Sequence, residues 1–299
     1  MSVSELPHLY SGKVRDLFAI DDELMLMVAS DRLSAFDVVM NEPIPEKGRV
    51  LTGLTDYWLR EVAPDVPSAL VSCDPREIDR TVLGFFDRPD LHGRTMMVRR
   101  ASMLNLECIV RGRLAGQAYD EYVAAGTVHQ MSAPAGMRLT DPFPEPIFTP
   151  STKAESGHDL NIDLASAAAI VGADALEEAA AISLSLFARA QERLEEVGLI
   201  LADTKFELGY VDGRLCVCDE VLTPDSSRIW PAHAVRSGEV PPSFDKQPFR
   251  DWLNTLEWDH TPPPPDVPEE IVAETSARYV SAYERVTGQS LNEWYGFSQ

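Results

Sequence analysis

One stretch restricts this chain more than any other: residues 201–230, which read LADTKFELGYVDGRLCVCDEVLTPDSSRIW. Lys205 and Glu207 alternate with Phe206 and Leu208, the period of a half-buried strand. Asp212-Gly213 signals a hairpin, and Leu215, Val217 and Asp219 then share one face of the returning strand. Pro224-Asp225-Ser226-Ser227 ends that strand in a turn, with Arg228 beyond it. Two such strands crowd Lys205, Glu207, Asp219, Glu220, Asp225 and Arg228 into a short span.

Loop length decides where these groups point. A two-residue loop sets Glu207 across from Cys218 and sends Asp219 to the opposite face, whereas a three-residue loop puts Glu207 and Asp219 on one face. Paired carboxylates repel unless a cation lies between them. Hard oxygen ligands beside Lys and Arg suit Mg²⁺ bound to phosphate. We therefore expect the odd-length loop. On this stretch alone the plain alternative is a solvated hairpin edge whose charges oppose edge-to-edge pairing.

The remainder of the chain bears on that choice. Its 299 residues suffice for one large or two medium domains with a full core. A net charge of −22 opposes nonspecific binding to nucleic acid or anionic membranes, so we expect neither as a partner. Anionic ligands require that the basic residues be gathered in one cleft. None of the four cysteines, Cys73, Cys108, Cys216 and Cys218, forms a C-x-x-C pair, which leaves small buried residues in a reducing cytoplasm. The N-terminus lacks an apolar signal core and no apolar run reaches membrane-spanning length, so the expected location is cytoplasmic.

Residues 8–30 read as two strands around Asp21-Asp22, the first carrying Ser11-Gly12-Lys13 at its tip with Lys13 and Arg15 on one face. Glycine there lets backbone approach a phosphate, although the flanking residues of a Walker loop are missing. Asp31, Arg32, Ser34 and Asp37 then cluster in a loop after a strand. Apolar residues from Val50 to Val62 recur at helical spacing, and short strands follow at 69–73, 95–100 and 103–111. The run Arg111-Gly-Arg113-Leu-Ala-Gly116 sets two guanidiniums beside exposed backbone, either as an anion site or as a salt-bridged turn. A helix is expected from Gln117 to Ala125, closed by Gly126.

Five prolines stiffen residues 131–150, and a second polar cluster follows with Lys153, Glu155, His158 and Asp159. The strongest helical patterns lie at 174–197, capped by Asp174, and at 268–286. Strand runs without βαβ alternation predict an α+β fold of two lobes, strand-rich over 1–105 and mixed over 106–299, with ligands in the cleft between them.

The polar clusters together carry a resemblance. SGKVRD, SDRLSAFD, ECIVRGRLAG, FTPSTKAESGHD, DTKFELG and CDEVLTPDSSRIW, in that order over about residues 8–232, resemble the SAICAR synthetases of purine biosynthesis. The resemblance implies an N-terminal lobe similar to a kinase small lobe. It also implies ATP, Mg²⁺, an aminoimidazole carboxylate ribonucleotide and L-aspartate as ligands of a monomer or homodimer. By position, Ser11, Gly12, Lys13 and Arg15 are similar to the family's strand and turn over the ATP phosphates, and Met103 to Leu106 to its adenine connector. Glu207 and Asp219 resemble the Mg²⁺ ligands, with Lys205 near phosphate. Ser34, Asp37, Arg111, Asp225, Ser227 and Arg228 resemble the nucleotide-substrate site, and Lys153 and Asp159 the loop at the reacting carboxylate. Gln117 departs from the serine common at that position of the family.

The implied chemistry activates a carboxylate as an acyl phosphate, which aspartate then attacks. Such chemistry needs alignment and charge neutralisation more than a protein nucleophile. A small-molecule kinase and a nucleotide-binding regulatory module are the competing classes. The first predicts a phosphorylated product without an amide, and the second predicts binding without turnover.

Overall fold

The computed structural model describes residues 2–153 and 160–294. Its first sheet is antiparallel and runs, edge to edge, His8–Ser11, Arg15–Ala19, Leu24–Ala29, Thr95–Arg99, Leu70–Ser72. Residues 8–30 thus form three strands where two were expected. The chain reverses at Gly12–Val14, with the Gly12 N–H donating to the Arg15 carbonyl at 2.7 Å and Ser11 pairing with Asp16. A tight reversal leaves the alternation on either side intact, so periodicity does not reveal it. Leu26 pairs with Met97 and packs on Ile78, Val82 and Phe85, while the neighbouring Met27–Met96 pair turns to the other face. That second face looks into a cavity.

The second sheet is ordered Pro142–Phe148, Leu106–Arg113, Leu199–Phe206, Ser227–Pro231, with Ser151–Thr152 also pairing with Leu106–Arg113. A third, smaller sheet joins Arg214–Val217, Leu208–Val211 and Ser102–Met103. The small sheet is tied to the loop entering the Leu70–Ser72 strand, because the Ala69 N–H donates to the Val217 carbonyl and the Val217 N–H to the Pro67 carbonyl, each at 2.8 Å. The fold is α+β with two lobes, as the strand runs predicted.

Helix Ala173–Glu196 lays Leu176, Ala179, Leu186, Phe187, Ala190 and Leu194 against the second sheet, the spacing of one helical face. Its N-cap is Gly172, with φ 91° and no side-chain bond, in place of the expected Asp174. The glycine turn lets the helix follow directly on Leu164–Val171, a helix the sequence pattern did not announce. Helix Lys47–Tyr57 packs beside helix Glu269–Thr287, and Gly53 admits the Tyr283 ring, which a Cβ would meet at 2.8 Å. The largest core therefore joins residues 33–63 to residues 104–291. Among the described residues no helix is long and apolar enough to cross a membrane.

Candidate active site

A cavity of about 470 Å³ opens between the first and third sheets. Its walls are apolar, from Leu17, Met27, Met96 and Val98, and one end is charged, from Lys13, Arg15, Lys153, Glu207 and Asp219. An apolar slot with convergent charges at one end suits a planar ring bearing phosphates. Met103 is 42% exposed and lines the slot. Leu106 does not: it is fully buried in the core, and its backbone pairs with Thr152. Ser11 also lies off the cavity wall, with its hydroxyl 2.9 Å from His8 Nε2.

The hairpin at the charged end departs from expectation. Leu208 pairs with Val217 and Val211 with Arg214, which leaves Asp212-Gly213 as a two-residue loop with φ 50° and 76°. Both central residues take positive φ, as a hairpin of this length favours. The even loop sets the Glu207 carbonyl opposite the Cys218 N–H, at 2.8 Å, and the odd-length loop expected from the two carboxylates is wrong. Those carboxylates nonetheless line one cavity. The ladder stops at Val217, and Asp219 adopts φ 60°, so strand parity no longer governs where its side chain points.

Glu207 is ion-paired with Lys153 and lies 3.5 Å from Lys205, which also reaches the buried Glu107 at 2.8 Å. Arg15 bridges Asp219 and Glu220, each at 2.6 Å. Burial pushes the Asp219 carboxyl up to about 7; Arg15 opposes the shift, and the neighbouring charges of Glu207 and Glu220 add to it. Burial, with the neighbouring acids adding to it, thus carries one carboxyl at this end into the neutral range. Burial pulls Lys205 down, but Glu107 and Glu207 outweigh it and hold the ammonium protonated.

A second cavity, of about 570 Å³, adjoins the first and is polar. Lys205 lines it while its Nζ stays within 3.5 Å of Glu207 in the first, so these two side chains stand at the junction. Arg111 and Arg228 converge on the floor. Asp203 Oδ2 accepts from Arg111 at 2.9 Å and from Arg228 at 2.8 Å. His129 Nε2 lies 3.1 Å from Arg111 Nη2 and its Nδ1 2.9 Å from the Pro150 carbonyl. A guanidinium only donates and a carbonyl only accepts, so the neutral Nδ1–H tautomer is the one that satisfies both. Burial foremost, then Arg111, lowers His129 to about 4, in keeping with that neutral form.

Asp225 lies in the same wall between Lys47 and Lys246, each at 2.9 Å, and accepts a hydrogen bond from Tyr279 Oη. Burial opposes its ionisation, but the two lysines win and hold it well below the usual carboxylate range. Ser227 Oγ is 2.8 Å from Thr204 Oγ1, on the cavity wall, as are Asp37 and Gln117. Ser34 sits behind that wall in the short strand Ser34–Ala35. Asp159 lies outside the described residues. Sequence reasoning missed Asp203, Lys47, Lys246, Glu107 and Arg250. Asp203 had a signal, since residues 203, 205 and 207 alternate along one strand face.

Two lobes, with an apolar slot ending in charge beside a basin floored by arginines, define an α+β enzyme for phosphate-bearing ligands. The SAICAR synthetase family model matches residues 8–265. A phosphoribosylaminoimidazole-succinocarboxamide synthase of Saccharopolyspora erythraea is 46% identical over 301 residues, covering 98% of each chain. One from Syntrophotalea carbinolica is 48% identical, covering 93% of each. The solved SAICAR synthase of Saccharomyces cerevisiae, complexed with SAICAR, superposes with a TM-score of 0.87 at 39% identity, over 97% of this chain and 98% of that one. The chain belongs to the SAICAR synthetase family.

Proposed function

We infer that this protein joins L-aspartate to the carboxylate of an aminoimidazole carboxylate ribonucleotide at the expense of ATP, giving SAICAR, ADP and phosphate. The observation that carries this is likeness along nearly the whole chain to synthases of that name, at 46% identity in one case. The apolar slot takes ATP, with the Gly12–Arg15 hairpin over its phosphates and Met103 beside the base. The basin takes the imidazole nucleotide, with Arg111, Arg228, Lys246 and Arg250 facing its anionic groups. One relative in the same fold was solved with ADP.

In the first step the substrate carboxylate oxygen attacks the γ-phosphorus, the bond to the β-bridging oxygen breaks, and ADP leaves. The aspartate amine then attacks the acyl carbon, and phosphate and a proton depart as the amide forms. Lys205 stands at the junction where the γ-phosphoryl group and the carboxylate meet, held in place by Glu107. Its charge offsets that of two approaching anions, which is the main electrostatic obstacle to the first step. Lys153, beside Glu207, is placed to act on the same centre. No nucleophilic side chain is needed. Cys218, the thiol on the slot wall, is pushed up to about 12 by burial and is inert.

Glu207 and Asp219 fit a magnesium ion. They are hard oxygen donors lining one cavity, and the charge of Glu207 adds to the burial that raises Asp219, a repulsion that a divalent cation relieves. Two protein carboxylates are what Mg²⁺ commonly uses when substrate phosphates supply other ligands. When bound there, the ion would neutralise phosphate charge.

Coupled detection of ADP with each substrate omitted in turn tests the function. Turnover should require ATP, the imidazole carboxylate and aspartate together. ADP formed at full rate without aspartate would instead favour a kinase, and binding without turnover a regulatory module.

A further inference from the structure

The wall of the basin nearest the nucleotide hairpin is an improbable turn. Ala35 pairs with Val38 and Ser34 with Val39, so Phe36-Asp37 is a two-residue hairpin loop. Both residues have positive φ, 52° and 65°, the pattern that such loops ordinarily fill with Asn-Gly. A phenylalanine in that region is a true outlier, and an outlier persists when its surroundings over-determine it. Here the surroundings come from the far end of the chain. His260 stacks on Phe36 with ring centroids 3.9 Å apart and planes 7° from parallel. Trp258 meets His260 edge-on at 5.2 Å and Phe36 at 6.4 Å. The strap is itself fixed: Trp258 Nε1 donates to the Thr261 carbonyl at 2.8 Å, and Asp259 accepts from the Thr261 N–H at 3.0 Å.

Phe36 and Asp37 both line the basin, and Asp37 is ion-paired with Lys13 of the hairpin over the slot. We propose that His260 and Trp258 are positioning residues for the reaction, an aromatic strap that clamps Phe36 and so sets the Phe36-Asp37 turn against the imidazole nucleotide. The strap touches neither cavity. It acts through the turn, and losing it releases a backbone whose own preferences point elsewhere. This proposal rests on the assignment of the basin to the imidazole nucleotide.

Steady-state kinetics of the full chain test it. His260→Ala should raise KM for the imidazole nucleotide about tenfold and leave KM for ATP within about twofold, with the thermal midpoint little changed. His260 itself has φ 63°, which Asn also tolerates, so His260→Asn keeps the strap's backbone and removes only the ring; it should raise KM for the imidazole nucleotide as much as His260→Ala. In a Phe36→Asn background, where the turn residue tolerates positive φ, His260→Ala should add nothing, because coupled sites are not additive. An unchanged nucleotide KM in His260→Ala, an equal rise in the KM for ATP, or a parent-like nucleotide KM in His260→Asn would each overturn the strap. Arg228→Ala separates the two levels. If it leaves the nucleotide KM alone, the basin assignment fails and the strap with it, whereas a large Arg228→Ala effect beside a silent His260→Ala sinks the strap alone.

Discussion

Arg228 donates to both oxygens of Asp203, at 3.0 and 2.8 Å, on the floor of the basin. Arg111 takes the same carboxylate from the other side, so one acid holds two guanidiniums of which Arg111 is almost wholly buried. Removing a buried counter-ion leaves charge without compensation, which costs more than the pair itself contributes. Asp203→Ala should therefore lower the unfolding free energy by about 3 kcal/mol in denaturant titration and raise KM for the imidazole nucleotide at least tenfold. A variant as stable as the parent would show that the guanidiniums are neutralised some other way.

Lys205 makes a separate prediction, because its two acids differ. Glu107 is 3% exposed and depends on Lys205 at 2.8 Å, while Glu207 also has Lys153. Lys205→Met should cost about 2–3 kcal/mol of stability, chiefly by stranding Glu107, and abolish turnover. Adding Glu107→Gln should recover most of that stability and none of the activity. Recovery of activity in the double variant would remove Lys205 from the reacting centre.

These two cases mark what local pattern could and could not reveal. The helix over 117–125 and the strands around 95–111 follow from periodicity and a closing glycine, both local signals. The acids Glu207 and Asp219 were legible as a pair, but the parity argument joining them failed because the strand ends two residues before Asp219. A left-handed residue at a strand end leaves no mark in an alternating pattern. Lys47 reads as part of a Pro-Glu-Lys-Gly turn, yet it begins a helix and buries its amine against Asp225. Its partner is 178 residues away in sequence, and only tertiary packing brings the two together.

Gly116 precedes the helix at the mouth of the basin, with φ 55°. A Cβ there would stand 2.4 Å from Arg228 Nη2 and 2.7 Å from its Cζ. Gly116→Ala combines backbone strain with a clash against a guanidinium that Asp203 holds in place. It should raise KM for the imidazole nucleotide by about 10–100-fold and leave KM for ATP within about twofold, because Arg228 faces only the basin. Equal effects on both substrates in initial-rate assays would mean that the substitution disturbs the lobe as a whole.

The acids of the slot make the last prediction, and its sign follows from burial. Asp219 is raised to about 7, against an ordinary value near 3.8, first by burial and then by Glu207 and Glu220, with Arg15 opposing. Between those two values the folded protein keeps a proton that the unfolded chain has lost. The stability this contributes is complete below about pH 4 and is lost as pH rises through about 7, at no more than about 1.4 kcal/mol per pH unit. In metal-free protein, the stability of the parent relative to Asp219→Asn should fall from about pH 5 to about pH 7 and level off above it. Denaturant melts across that range measure the difference directly, and groups common to both proteins cancel. Magnesium would compete with the same proton, so its apparent affinity, measured by calorimetry with a non-hydrolysable ATP analogue, should weaken as pH drops below about 7. A flat stability difference would mean that Arg15 outweighs both burial and the neighbouring acids, so that Asp219 stays ionised without a further cation.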